Sequence, residues 1–571
     1  MTASPRIIAL VYLNGLILLF GLYTSIINTM LNLIDKIGDW NPQLFRELKG
    51  RFKKTHVAIA LFISLAPQVF ILLLQFDTDK NEQVYLNFWK PDIWRMVFIT
   101  FNMIFIFTLL VAGTYLIVND LVKEERDGTL NFIRLSPQSE ISIFTGKMLG
   151  VPALIHLMIA AAIPFHTFAG ISANIPFSYI LCFYLILIAS CIFFYSVASL
   201  IAILEAVNFR MGKAWFVSGA ILFFLIISSS WAYFDIHYLN VWFRIFSPIE
   251  MNNYLFVEVW SQFNNLGLKD LIVFNLPLGQ NELSILGLFL VNYGLCIYWI
   301  WQGLIRCFRN PNATLLSKGK SYWFATNFNF IHLGFLMHGE STNQESFIAE
   351  IVYLYTWNII LFLVLFGMIL PHRQAIQDWA TFRLQKYPKN KYFFKSSLLS
   401  ELILDEKSPG TLAIAINILI AAIFAITLTL IKGTAFYKSD ALASAMLIAI
   451  CIVFLINLIT IYASIAQLML MLKNSKRGSL SMGTTAVAVT LPILIASILS
   501  FSISNTSDTD TTLWLFTIFF PFGFANTTAI KVVSVFICQL AILALLNWYL
   551  IKQVKSLGES ATKAMFSQAK V

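Results

Sequence analysis

Runs of about 20 apolar residues recur along this chain, each long enough to carry a helix through the hydrocarbon core of a bilayer. Backbone inside lipid must satisfy its own N–H and C=O groups, so repeated runs of this length commit the chain to membrane-spanning helices. They fall near residues 7–33, 57–74, 94–118, 148–169, 177–204, 214–233 and 283–305, then near 351–370, 412–431, 443–472, 484–503 and 532–550. The expected fold is therefore all-α: a polytopic integral membrane protein of about 12 transmembrane helices, with 11–13 as the range. Composition agrees, since only 12% of the residues are charged and 58% are hydrophobic, against about 25% charged in soluble domains. No stretch between the runs could build a large separate core.

The formal net charge of +10 raises nucleic acid as a partner. The basic residues, however, sit in short segments beside apolar runs, as the positive-inside bias requires, so the expected partner is the lipid bilayer and no nucleic acid. Lys36, Arg46, Lys49, Arg51, Lys53 and Lys54 follow the first run and place the N-terminus outside. That run exceeds a signal-peptide core and lacks a small-x-small site before Asp35, so it reads as a retained span. The six cysteines lie mostly in apolar runs without a CxxC pair, which indicates neither disulfides nor a metal site.

Parity is unsettled in the second half. The basic segment 372–407 belongs inside, which requires one more crossing after Lys320. Residues 322–337 are the candidate, apolar and aromatic but short and carrying Asn327, Asn329 and His332. Residues 504–529, broken by Pro521 and Gly523, read as an outer loop with a re-entrant helix, a crossing over 513–529 being the alternative.

Two inner segments carry the functional signal. In the first, NPQLFRELKGRFKKTH over 41–56, Asn41 can cap a helix and Pro42 suits its first turn. Leu44, Phe45, Leu48 and Phe52 then form an apolar stripe opposite Arg46, Lys49 and Lys53. Such a helix is expected in the headgroup plane, stripe toward acyl chains and basic face toward anionic lipid. The second, KEERDGTLNFIRLSP over 123–137, carries mixed charges at Glu124, Glu125, Arg126 and Asp127, a turn at Gly128, and a short helix over 129–135 expected to expose Leu130, Phe132 and Ile133. Apolar side chains on a water-facing loop point to a protein groove that covers them.

These segments resemble the type-two ABC exporter permease family. Glu125, Arg126, Gly128, Thr129, Leu130 and Pro137 match the family's loop between its second and third core spans. Ile133 stands near its second leucine, and Gly146 with Lys147 meets its following glycine-lysine pair. Asn41, Pro42, Arg46, Glu47 and Leu48 match its N-terminal elbow. The resemblance covers about 41–307. It implies an elbow helix, six core spans, a coupling helix at 129–135 with Glu124 to Pro137 receiving a partner ATPase, and a dimeric path through a second permease chain or a homodimer. The expected domains are an extra span over 1–40, a permease core over 41–310, and a second membrane domain over 311–571. The last departs from the family, and DEKSPGTL near 405–412 is similar to EERDGTL at 124–130, which raises a degenerate repeat.

No GxxxxGK[ST] phosphate cradle occurs, so ATP and magnesium are expected on a separate ABC ATPase subunit, with no cofactor on this chain. Ionisable residues are nearly absent from the spans; Arg95 and Glu205 stand near span ends, which weakens an ion-coupled mechanism. His156 and His166 share a helix face and read as hydrogen-bonded interior side chains, while Asn102, Asn292, Asn417, Asn457 and Gln467 read as interhelical contacts. The expected function is the permease subunit of an ATP-driven exporter, not an enzyme, in a cell membrane. The alternatives are a membrane acyl- or glycosyltransferase using Asp235, His237, Glu250 or His338, and a non-transporting assembly protein.

Overall fold

The structure is a computed structural model that describes residues 38–74, 76–78, 84–86, 91–204, 212–230, 241–256, 268–337, 344–386, 398–432, 441–474, 476–503, 511–524 and 527–568. The expected span over 7–33, Glu205, Asp235, His237 and His338 lie outside these residues. Apart from one antiparallel pair, β1 (Phe76–Thr78) and β2 (Val84–Leu86), the described chain is helical. Ten of its helices are long and apolar enough to cross a membrane. The chain divides into two compact units. Among the described residues, one holds those up to Leu271 together with Leu278–Phe308; the other holds Ile272–Pro277 and those from Arg309 onward.

In the first unit, α1 (Pro42–Arg51) precedes α2 (Lys54–Leu74) and the long α3 (Pro91–Arg126). Next come α4 (Thr129–Arg134), α5 (Glu140–Gly150), α6 (Ala153–Ser172) and α7 (Phe177–Ile203). The unit continues through α8 (Lys213–Ser230), the short α9 (Val241–Arg244) and α10 (Pro248–Leu255), and α11 (Glu282–Arg309). Midway along α3, residues Thr108–Ala112 form a π turn. The extra residue breaks the regular hydrogen-bond ladder, and side chains satisfy the carbonyls there. Tyr195 Oη donates to the Leu109 carbonyl at 3.0 Å, and Thr114 Oγ1 donates to those of Leu110 and Val111 at 2.5 and 3.0 Å. Gly113 leaves the space that the Tyr195 hydroxyl occupies.

The second unit starts with α12 (Lys318–Leu336), capped by Ser317 Oγ, which accepts from Lys320 N at 3.3 Å. It continues with α13 (Gln344–Ile369), α14 (Arg373–Lys386), α15 (Leu398–Leu404), α16 (Thr411–Lys432), α17 (Ala441–Leu470), α18 (Arg477–Ile503), α19 (Phe520–Gly523) and α20 (Ala529–Gln568). Helix α12 begins where α13 ends, because Leu316 N donates to the Met368 carbonyl at 3.1 Å. Helix α12 is hard to recognise from hydropathy because its polar residues turn inward. Ser321 accepts from Asn417 Nδ2 at 3.0 Å and Asn329 from Asn358 Nδ2 at 2.8 Å, all four buried. The basic segment after α13 is not an open loop. Ile376, Trp379 and Ala380 of α14 pack on Leu550, Val554 and Leu557, where α20 continues past the apolar run read from sequence. Residues 511–516 form a short 3₁₀ segment and α19 has 4 residues, so neither element can cross about 30 Å of hydrocarbon.

Candidate functional site

The elbow and the loop after α3 meet in the first unit. Asn41 caps α1 by accepting from Leu44 N at 3.0 Å, while its Nδ2 donates to the Ser142 carbonyl at 2.9 Å. One side chain thus starts α1 and ties it to α5. The two helices approach closely because α5 presents Gly146 and Gly150. A Cβ at Gly146 would come within 2.8 Å of Leu44 N, and one at Gly150 within 2.5 Å of Glu47 Cβ.

The buried face of α1 is Gln43, Leu44, Glu47 and Leu48. Leu44 and Leu48 pack on Ala153, with Phe45 and Phe52 partly buried beside them. Leu44 and Leu48 of the expected stripe are thus covered by protein, and Arg46, still half exposed, contacts carboxylates. Lys49 stays exposed over the Phe45 ring at 5.0 Å.

Glu47 belongs on this face because Lys147 opposes it. The Lys147 ammonium is 0% exposed and lies 2.7 Å from Asp120, 2.7 Å from Glu124 and 3.4 Å from Glu47. Arg51 bridges Glu47 at 3.0 Å and Asp120 at 2.8 Å, and Arg46 reaches Glu124 at 2.5 Å and Glu47 at 3.2 Å. Three cations and three carboxylates therefore balance across α1, α3 and α5. Burial alone would lower the Lys147 pKa; Asp120, Glu47 and Glu124 outweigh it and hold the pKa above its ordinary value. The Arg46 pKa is likewise raised, against burial, by Glu47 and Glu124. The oxygens of Glu47, Asp120 and Glu124 lie within 4.8 Å of one another, a grouping able to hold a metal ion. Lys147 already supplies the positive charge there.

Helix α3 ends at Arg126, and Gly128 before α4 has a φ of 76°, the left-handed conformation that glycine adopts without strain. Thr129 Oγ1 donates back to the Glu124 carbonyl at 3.2 Å. Helix α4 follows, and Leu130 and Ile133 are buried, so the expectation that they are exposed is corrected. Phe132 is 78% exposed and Leu135 86% exposed. The i, i+3 spacing explains the division, since 130 and 133 lie on one face and 132 and 135 on the other. Arg134 holds α4 against the end of α11, its guanidinium 5.6 Å from the Phe308 ring. Glu125, Arg126, Thr129 and Pro137 are exposed around Phe132 and Leu135, whereas Glu124 is committed inward to Lys147. Pro42 is exposed at the start of α1. Sequence reasoning missed Asp120, Arg51 and Leu135; the one signal was an acid, Glu47, set between two leucines of an apolar face.

Elsewhere in the unit, His166 contacts Tyr184 Oη at 2.6 Å and Asn102 Oδ1 at 2.7 Å, and Asn102 Nδ2 donates to Asn252 at 2.7 Å. His156 lies 3.5 Å from the Tyr195 hydroxyl. Glu250, a candidate catalytic acid, is paired with Arg244 at 2.7 Å. No family model, curated protein or solved structure matches the chain.

Proposed function

We propose that this chain is the permease subunit of an ATP-driven ABC exporter and that α4 is the element on which a separate ATPase subunit pushes. The observation that carries the reading is the pair of exposed apolar side chains, Phe132 and Leu135, on a short water-facing helix whose opposite face is buried. Exposed large apolar side chains beside charged residues suit a protein groove that covers them. The resemblance of Asn41 to Leu48 and of Glu124 to Pro137 to that permease family supports the same reading. ATP and magnesium would sit on the partner, and the substrate would move by alternating access between helices.

The proposed topology counts α8 and α12 with the ten longer apolar helices, which makes twelve crossings among the described residues. Helix α12 has 19 residues, a length of about 28 Å, and brings the segment from 372 onward back to the inner side. The chain would then reside in a cell membrane, alone or with a second permease chain. The test is affinity purification of the full chain from its native membrane. A partner bearing GxxxxGK[ST] should co-purify with the unaltered chain and be lost from Phe132→Ser/Leu135→Ser. Retention of that partner by the double variant would reject α4 as its contact.

A further inference from the structure

At the end of the first unit remote from the elbow lies a cavity of about 610 Å³, lined by Arg95, Tyr179, Tyr254, Lys269, Asp270 and Glu282 among others. Helix α6, which touches the elbow at Ala153, runs 20 residues to the turn at Asn174–Pro176 that forms one wall. The volume falls in the range of about 300–1,000 Å³ typical of small-molecule sites. Arg95 belongs to the start of α3, Tyr179 to the first turn of α7, and Glu282 is the first residue of α11. Three helix starts, with their positive dipole ends, thus supplement the two cationic side chains.

The lining holds both signs of charge. Glu282 accepts the Tyr179 hydroxyl and has no other side-chain partner among the described residues, so one carboxylate oxygen remains available. Lys269 and Asp270, both exposed to the cavity, have no side-chain partner among the described residues. An anion alone would meet two carboxylates, and a cation alone would meet Lys269. A zwitterion satisfies both sets. The apolar part of the wall, Ile175, Leu255 and Phe256, gives a glycerol backbone and the first acyl carbons a place to lie.

We infer that this cavity binds the headgroup of a zwitterionic phospholipid bearing a primary amine, with Lys269 on the phosphate and Glu282 and Asp270 on the ammonium. A primary amine fits because carboxylates accept its N–H groups in charge-assisted hydrogen bonds, which a quaternary ammonium cannot donate. A lipid fits because the cavity lies at the ends of helices long and apolar enough to cross a bilayer. The inference does not depend on the permease reading.

The experiment measures lipid retention by the detergent-purified full chain in native mass spectrometry, using dioleoyl-phosphatidylethanolamine, -choline and -glycerol. Phosphatidylethanolamine should be retained about tenfold or more over the other two, because phosphatidylcholine lacks the ammonium N–H donors and phosphatidylglycerol lacks the cation. Lys269→Glu and Asp270→Lys, both exposed changes, should each erase that preference. Equal retention of the three lipids, or an unchanged preference in both variants, overturns the inference. Soluble sn-glycero-3-phosphoethanolamine at millimolar concentration distinguishes the source. No displacement supports the lipid; full displacement overturns the lipid and leaves a soluble zwitterion as the ligand.

Discussion

Replacing Lys147 by Ala tests whether the charge network holds the elbow in place. The ammonium is fully buried, and its carboxylate neighbours are 8% (Glu47), 14% (Glu124) and 21% (Asp120) exposed. The variant removes one of three cations facing three carboxylates and leaves a net charge of −1 in a space that water barely reaches. Breaking a buried pair by deleting one partner costs about 3–5 kcal/mol; because Arg46 and Arg51 still contact all three carboxylates, the lower end of about 3 kcal/mol applies. Hydrogen exchange of the α1 amides should then quicken about a hundredfold, since each 1.4 kcal/mol is about a factor of ten. A second arm uses the vacated space. With oxygens no more than 4.8 Å apart, a cation at their centre would sit within about 2.8 Å of each (4.8 divided by the square root of three), close to the 2.3–2.6 Å that calcium takes. Calcium at about 100 times its dissociation constant would restore about 2.7 kcal/mol. Protection of α1 should return in Lys147→Ala with calcium, fail to return in Lys147→Ala/Asp120→Asn, and stay unchanged in the unaltered protein. Native-like exchange in Lys147→Ala without calcium would refute the argument.

The same group sets the pH dependence. Its folded pKa is raised above the ordinary 10.5, so its stabilisation is fully present below about pH 10.5 and is lost as pH rises through the folded value. Protection of α1, corrected for intrinsic exchange, should be flat from about pH 7 to 9.5 and fall only above that window. Phe132→Ser/Leu135→Ser removes only exposed side chains and should change thermal stability by less than about 0.5 kcal/mol while abolishing ATPase co-purification. Gly128→Pro forces a negative φ where the chain needs 76°; like Glu125→Lys, it should abolish transport in proteoliposomes while membrane insertion stays normal. Tyr195→Phe removes the side-chain donor to the Leu109 carbonyl, which keeps only the Gly113 N–H, and should cost about 1 kcal/mol in thermal unfolding, with transport slowed and partner association intact.

The spans are legible in sequence where helices face lipid, because an exposed helix there must be apolar along its length. Helix α12 is ambiguous for the opposite reason: Ser321, Asn329 and His332 are buried, so its polarity serves contacts inside the unit and lowers its hydropathy. Helix α14 resembles a basic connector in sequence because its packing surface, Ile376, Trp379 and Ala380, is small and its partner lies at 550–557, far along the chain. At the candidate site, the motifs locate α1 with its Leu44 and Leu48 face, and α4 without its face. In α4 both faces are apolar, and period alone does not decide whether 130 and 133 or 132 and 135 face water. The network is less legible still. Lys147 is 27 residues from Asp120 and 100 from Glu47, and only the fold brings them together.

Under the proposed function, a push on Phe132 and Leu135 has to reach the spans, and the described contacts determine where the path can yield. Near α4 it has little freedom: Leu130 and Ile133 are buried, Gly146 and Gly150 put α5 in close contact with α1, and the charge network joins α1, α3 and α5. The next departure from regular structure along α3 is the π turn at Thr108–Ala112, where side-chain hydroxyls from Tyr195 and Thr114 supplement the backbone bonds. Such hydrogen bonds can exchange partners at lower cost than an unbroken α-helix can bend. The inner end therefore acts as a stiff handle and the π turn as the compliant point. The two variants should accordingly fail differently. Lys147→Ala loosens the handle and exposes α1 to exchange, whereas Tyr195→Phe leaves α1 protected and alters only the response of the spans to the push.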